Sequence, residues 1–101
     1  MAGDATKVAS KHYKVLFENP HVRVIEYRSK PGEKSEMHSH PALVAVAVSH
    51  TKAKFTFPDG KVVPVDLPPG HAMYNASFDH AVENTGTGPG HVVIVELKGV
   101  K

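Results

Sequence analysis

Gly32-Glu33-Lys34-Ser35-Glu36-Met37-His38-Ser39-His40 sets a glycine, then five residues, then a His-x-His pair. In an extended strand the side chains alternate, so His38 and His40 point to the same side. Their Cα atoms are then roughly 7 Å apart. Two imidazoles at that separation converge on one ion through metal–nitrogen bonds of about 2.0–2.1 Å. Further along, His80-Ala81-Val82-Glu83-Asn84 supplies a third histidine, with an asparagine four positions later. An imidazole brought in from a distant strand would complete one face of a coordination sphere. The stretch therefore argues for β-structure that carries a metal site.

Outward from this pair, short strand-like runs alternate with turn signals. Tyr13 to Phe17 alternates weakly and ends at Asn19-Pro20. His21 to Arg28 is closed by Lys30-Pro31-Gly32. Met37 to Pro41 is a short strand, and Leu43 to Val48 is a continuous apolar run that reads as buried on both faces. Lys54 to Phe57 and Lys61 to Val65 flank Pro58-Asp59-Gly60, a hairpin turn in which Gly60 supplies positive φ. Ala72 to Asn75 and His80 to Asn84 form two short strands around Ala76-Ser77-Phe78-Asp79. His91 to Leu97 is the last strand. No segment has a helical period, so the pattern is that of an all-β sandwich or barrel. Residues 13–101 form one domain. Residues 1–12 carry little pattern and read as a flexible N-terminal arm or an edge strand exchanged with a partner subunit.

Composition narrows the function classes. A chain of 101 residues holds one domain with a modest core, which a homodimer would help to cover. There is no cysteine, which excludes disulfides and thiolate metal sites and fits a cytoplasmic location. The net charge is +2, and no basic block interleaves with aromatics, so nucleic acid is not an expected partner. The N-terminus lacks the apolar run of a secretory signal, and no window is long enough to cross a bilayer. A small molecule is the expected partner. Of the eight histidines, His12, His21, His50 and His91 stand near segment ends or among charges and are expected at the surface.

The motifs resemble those of the cupin superfamily, in particular its small single-domain metal-binding members. That family's first motif runs glycine, five residues, His-x-His, a short gap, then glutamate; Gly32, His38 and His40 meet its first half. The second motif ends in histidine, three residues, asparagine, met by His80 and Asn84. It is one residue short between Gly70 and His80 and lacks the family's Pro-x-Gly. The resemblance runs from about Phe17 to about Leu97 and implies a double-stranded β-helix, the cupin or jelly-roll barrel.

The family's glutamate is missing: its place falls at Val44 or Ala45. The resemblance then implies a three-histidine centre at His38, His40 and His80. It would hold one divalent transition metal, with Fe(II) favoured and Mn, Ni or Zn as alternatives. Three-histidine cupins include thiol dioxygenases and β-diketone-cleaving dioxygenases, which implies an oxygen-dependent enzyme acting on a small anionic chelating substrate. Three neutral ligands leave the ion its full charge, which favours such an anion. A non-catalytic metal- or ligand-binding module and a non-redox isomerase or lyase are the alternatives. Glu36 or Asp79 is a candidate fourth ligand, and Asn84 is assigned to structure. Met37, Met73, Tyr74 and Phe78 flank the ligand segments as core packing or as a pocket wall, with Tyr74 as the candidate catalytic phenol.

Overall fold

The computed structural model describes residues 2–99. The two C-terminal residues of the expected domain lie outside that range. Among the described residues, one short helix, α1 (Ala5–Val8), precedes nine strands. These are β1 (Tyr13–Glu18), β2 (Val22–Ser29), β3 (His38–His40), β4 (Leu43–Ala47) and β5 (Thr51–Thr56), then β6 (Val62–Leu67), β7 (Ala72–Asn75), β8 (Phe78–Asn84) and β9 (Gly90–Leu97). They form a five-stranded sheet in the order β1-β2-β9-β4-β7 and a four-stranded sheet in the order β3-β8-β5-β6. Every pairing between strands is antiparallel. The expected all-β architecture is present, and the hairpin around Gly60 has the expected left-handed φ of 88°.

The two sheets face each other across a core that includes Ile25, Tyr27, Leu43, Val82, Val92 and Ile94. Two-residue period does the sorting: along β9, Gly90, Val92, Ile94 and Glu96 are buried while the residues between them are half-exposed. The apolar run of β4 behaves the same way. Leu43, Ala45 and Ala47 are buried, but Val44 and Val46 are half-exposed, so burial on both faces does not hold. Antiparallel β4 lies inside a sheet that meets its partner sheet on one side alone.

The valines turned outward have company. Phe17 pairs with Val24, Val24 with Val95, Val95 with Val44, and Val44 with Tyr74, which makes one apolar row across all five strands. At its ends Phe17 and Tyr74 are 53% and 57% exposed.

The N-terminal segment is not a free arm. Asp4 caps α1 by accepting from the Thr6 amide at 2.8 Å, and Ala5 and Ala9 are buried in the core. Asp4 also bridges in parallel to Ser39 of the same chain, so the segment runs along the outer edge of β3. An unpaired strand edge exposes backbone donors and acceptors, and the segment satisfies some of them here.

Candidate metal centre

β3 and β8 position all three histidines through register alone. His38 and His40 are two residues apart on one strand, and His80 stands directly opposite His38 on the next. Residues directly opposite across an antiparallel pair have Cβ atoms about 4.5–5.5 Å apart. One nitrogen from each of the three rings lies within 4.8 Å of the others. The missing residue ahead of His80 is absorbed in a short crossing: only Ala76 and Ser77 separate β7 of one sheet from β8 of the other. The third imidazole thus comes from far along the chain but from the adjacent strand.

All three rings are buried, His38 completely. The His38 Nδ1–H donates to the Glu36 carbonyl at 2.6 Å, and the His40 Nδ1–H to Glu96 Oε2 at 2.9 Å. These bonds turn Nε2 of each ring toward the shared space. Among the described residues, His38 Nε2 and both nitrogens of His80 have no hydrogen-bond partner. A buried polar atom left unpaired costs about 1–3 kcal/mol, a cost that an ion between the rings would remove.

Burial pushes the His38 imidazole down to about 4; the Glu36 carbonyl opposes this and His40 adds to it. Burial likewise takes His80 to about 2, helped by repulsion from His38 and His40. Both rings are therefore neutral near pH 7, the form that binds metal. Phe55 and Phe78 close on His80 edge-to-face at centroid distances of 4.5 and 4.6 Å. This donor set, three nitrogens with no thiolate, fits a borderline transition-metal ion.

Several expected residues lie elsewhere. Tyr74 is on the outer face of β7, because Met73 and Asn75 take the inward phase and line the interior cavity. The phenols beside the site are Tyr13, whose ring is 4.7 Å from that of His38, and Tyr27, which lines the cavity. Burial raises both hydroxyls above their usual range, Tyr13 the further. Of the two positions for the absent glutamate, Ala45 lines the cavity and Val44 faces out.

Neither candidate fourth ligand joins the cluster. Glu36 is exposed. Asp79 accepts from Ser39 Oγ at 2.8 Å and from the Ala2 amide at 3.2 Å. Glu83 points outward to Lys54. Asn84 is structural, its amide donating to the Ser29 and Gly88 carbonyls. His12, expected at the surface, is buried and donates to the Arg28 carbonyl at 3.0 Å.

One carboxylate went unread. Glu96 is 2% exposed and joins His40 to Arg23, whose Nε and Nη2 lie 2.8 and 2.6 Å from Glu96 Oε1. Arg23 in turn reaches Asp4 Oδ2 at 2.9 Å. Burial alone would raise the Asp4 carboxyl, but bonds from Arg23 and Thr6 outweigh it and hold it at about 2. The signal was available: Glu96 is in phase with inward Val92 and Ile94, and Arg23 with inward Ile25.

Two packed antiparallel sheets around an inward three-histidine cluster define a double-stranded β-helix protein with the makings of a metal site. No family model and no curated protein sequence matches the chain. Solved structures do, and by them the chain has the double-stranded β-helix fold of cupin proteins. A cupin domain from Bordetella pertussis superposes with a TM-score of 0.78 at 26% identity, covering 86% of this chain and 92% of that one. An RmlC-like cupin with a double-stranded β-helix fold from Methanocaldococcus jannaschii gives 0.66 at 15% identity, over 84% and 77%. A DMSP lyase structure gives 0.57 at 21% identity, covering 78% of this chain and 40% of that one, a likeness of fold alone.

Proposed function

We propose that the chain holds one divalent transition metal, Fe(II) before Mn, Ni or Zn, and uses it to oxidise a small anionic chelating molecule with oxygen. The observation that carries this reading is the donor set: three buried imidazoles converge with no carboxylate among them. When bound, such an ion supplies Lewis-acid capture of an anionic group and a neighbouring position for oxygen.

The chain's own residues do the rest. Glu36 and Glu96 fix the ring orientation of His38 and His40. The cavity beside the rings measures about 50 Å³ and is walled by side chains such as Leu43, Phe55, Met73 and Val92. That is space for a handful of water-sized groups, so the substrate is small. No lysine or arginine lines it, which leaves the ion as the one positive partner for an anion there. Tyr13 and Tyr27 keep their protons at neutral pH, so they serve as hydrogen-bond donors rather than bases.

The test is oxygen uptake by Fe(II)-reconstituted protein with a panel of β-diketones, β-keto acids and small thiols. At least one should be consumed, and the His40→Ala protein should consume none. Binding of these anions without oxygen uptake would replace this reading with a non-redox isomerase or lyase. A second reading, a non-catalytic metal-holding module, is favoured by the near-complete burial of the rings. It predicts neither uptake nor turnover, with metal that resists exchange.

The working form we propose is a cytoplasmic homodimer. The apolar row from Phe17 to Tyr74 can meet itself about a two-fold axis. Val15, Leu16 and Phe17 leave both faces of edge strand β1 exposed, which a second copy would cover. Light scattering should give twice the chain mass.

A further inference from the structure

Little of the three imidazoles reaches solvent: His38 is fully buried, and His40 and His80 are 3% exposed. Passage of an ion, or of a ligand bound to it, therefore depends on the elements that cover the rings. The N-terminal segment covers the ligand strand. The Gly3 carbonyl accepts from the Ser39 amide at 2.8 Å, and the Ala2 carbonyl at 2.6 Å shares the single Ser39 Oγ–H with Asp79 Oδ1 at 2.8 Å; Ser39 stands between two of the three histidines. Where the segment rejoins the sheet, Tyr13 lies edge-on to His38 and His40, with centroids 4.7 and 5.5 Å away.

A second connection reaches the same site from the other side. Asp4 holds Arg23, Arg23 holds Glu96, and Glu96 holds His40 Nδ1, with every link between 2.6 and 3.1 Å. The segment's own helix is four residues long, too short to persist unless docked.

We propose that residues 2–12 form a strap over the metal chamber, that strap docking and metal binding are coupled through Asp4, Arg23 and Glu96, and that strap opening sets how fast the ion exchanges. This rests on His38, His40 and His80 holding a metal. If Asp4 leaves, Arg23 loses one of its two anionic partners and its guanidinium is freed to swing. Glu96, almost fully buried, then loses the cation that fixes its orientation against His40. In the reverse direction, an ion on Nε2 of His40 makes Nδ1–H a stronger donor to Glu96. The coupling is reciprocal: whatever the docked strap adds to metal affinity, bound metal adds to docking.

The experiment uses the full chain loaded with Co(II). Release into excess chelator is timed, and amide hydrogen exchange is followed at Ser39 and Ala9, whose N–H groups are bonded to the carbonyls of Gly3 and Ala5. Bound metal should slow exchange at both amides. Asp4→Asn keeps a good helix cap but removes the charge facing Arg23; metal release should quicken on the order of tenfold, as for loss of an outer-shell partner. Ala5→Glu, at a fully buried position, should lift the helix, take Asp4 away from Arg23 with it, and quicken release. If Ala5→Glu fails to fold, Asp4→Asn decides. Glu18→Gln, which breaks the exposed pair with Lys98, should change nothing.

Stoichiometric metal with wild-type release rates in Asp4→Asn, or exchange at Ser39 and Ala9 indifferent to metal, would overturn the strap. Wild-type protein that takes up no metal would overturn the metal reading and the strap together, a result distinct from the other two.

Discussion

The two walls that meet at the histidine cluster handle charge in opposite ways. The β3–β8 wall supplies three ring nitrogens' worth of donor capacity and no carboxylate. The β4–β9 wall supplies a carboxylate, Glu96, and sets it one hydrogen bond back from the site, behind His40 and already paired with Arg23. Of the two candidate places for the cupin glutamate, Val44 and Ala45, Ala45 is the one that lines the cavity. The difference teaches that Glu96 acts through His40 rather than in the space the three rings share. Glu96 orients His40 and stays out of the shared space, so an ion held there would keep both its charge and its open sites for an incoming anion.

The contrast breaks most completely when the donor wall is cut. His80→Ala or His38→Ala should lower metal affinity by more than about 100-fold, beyond what outer-shell changes do. Elemental analysis of purified protein should show the metal gone. His21→Ala and His91→Ala should retain it.

Protons attack the same wall. The folded-state values of His38 and His80 are depressed, so below about pH 6.5 the unfolded chain takes up protons before the folded one. The stability of the metal-free protein should therefore be full above that pH and fall as pH drops, the His38 share being complete near 4 and the His80 share continuing below it. Over that span His38 alone costs about 3 kcal/mol. Urea unfolding across pH 4–7 measures it, and a flat profile would mean the rings are solvated.

Adding charge to the other wall sharpens the comparison. Ala45→Glu should put a carboxylate in the cavity, raising metal affinity and weakening anion binding to the loaded protein by about tenfold each. Val44→Glu, on the outer face, should change neither. Titration calorimetry of both variants distinguishes the two positions. Softening Glu96 gives a smaller effect: Glu96→Gln should weaken metal binding by about 10–100-fold at most, through His40 orientation, with the metal still bound. Tyr74→Ser should leave metal content and turnover untouched. Its effect, if the outer row is a dimer face, appears in light scattering as a shift toward monomer.

These residues also show where sequence reading succeeds. His38 and His40 were legible because a two-residue period needs no tertiary knowledge, and the hairpin at Gly60 because its turn chemistry is local. His80 was legible as a third donor, but its place opposite His38 is a matter of strand register, which pattern does not carry. Tyr74 was misplaced for a related reason. The phase of a four-residue strand depends on how the chain crosses between sheets, and Ala76-Ser77 does so too abruptly for flanking residues to reveal it. The N-terminal segment had no period because its helix is four residues long and buries only small alanines, Ala5 and Ala9, while its other contacts are polar and particular: Asp4 with Arg23, Gly3 and Ala2 with Ser39. Glu96 was hidden inside an apolar run, although its inward phase could have been counted.

The facing pair His38 and His80 has a mechanical consequence. An ion shared by them ties together points 42 residues apart, from 38 to 80, in a protein with no cysteine. Closing a loop of that length costs an unfolded chain about 4 kcal/mol. In the fold β3 and β8 have closed it already. By that difference alone, the folded chain should bind the ion on the order of a thousandfold more tightly than the unfolded one. The metal would then act as a detachable staple, fastening the barrel when present and loosening it under chelation, with a melting temperature that follows free metal concentration.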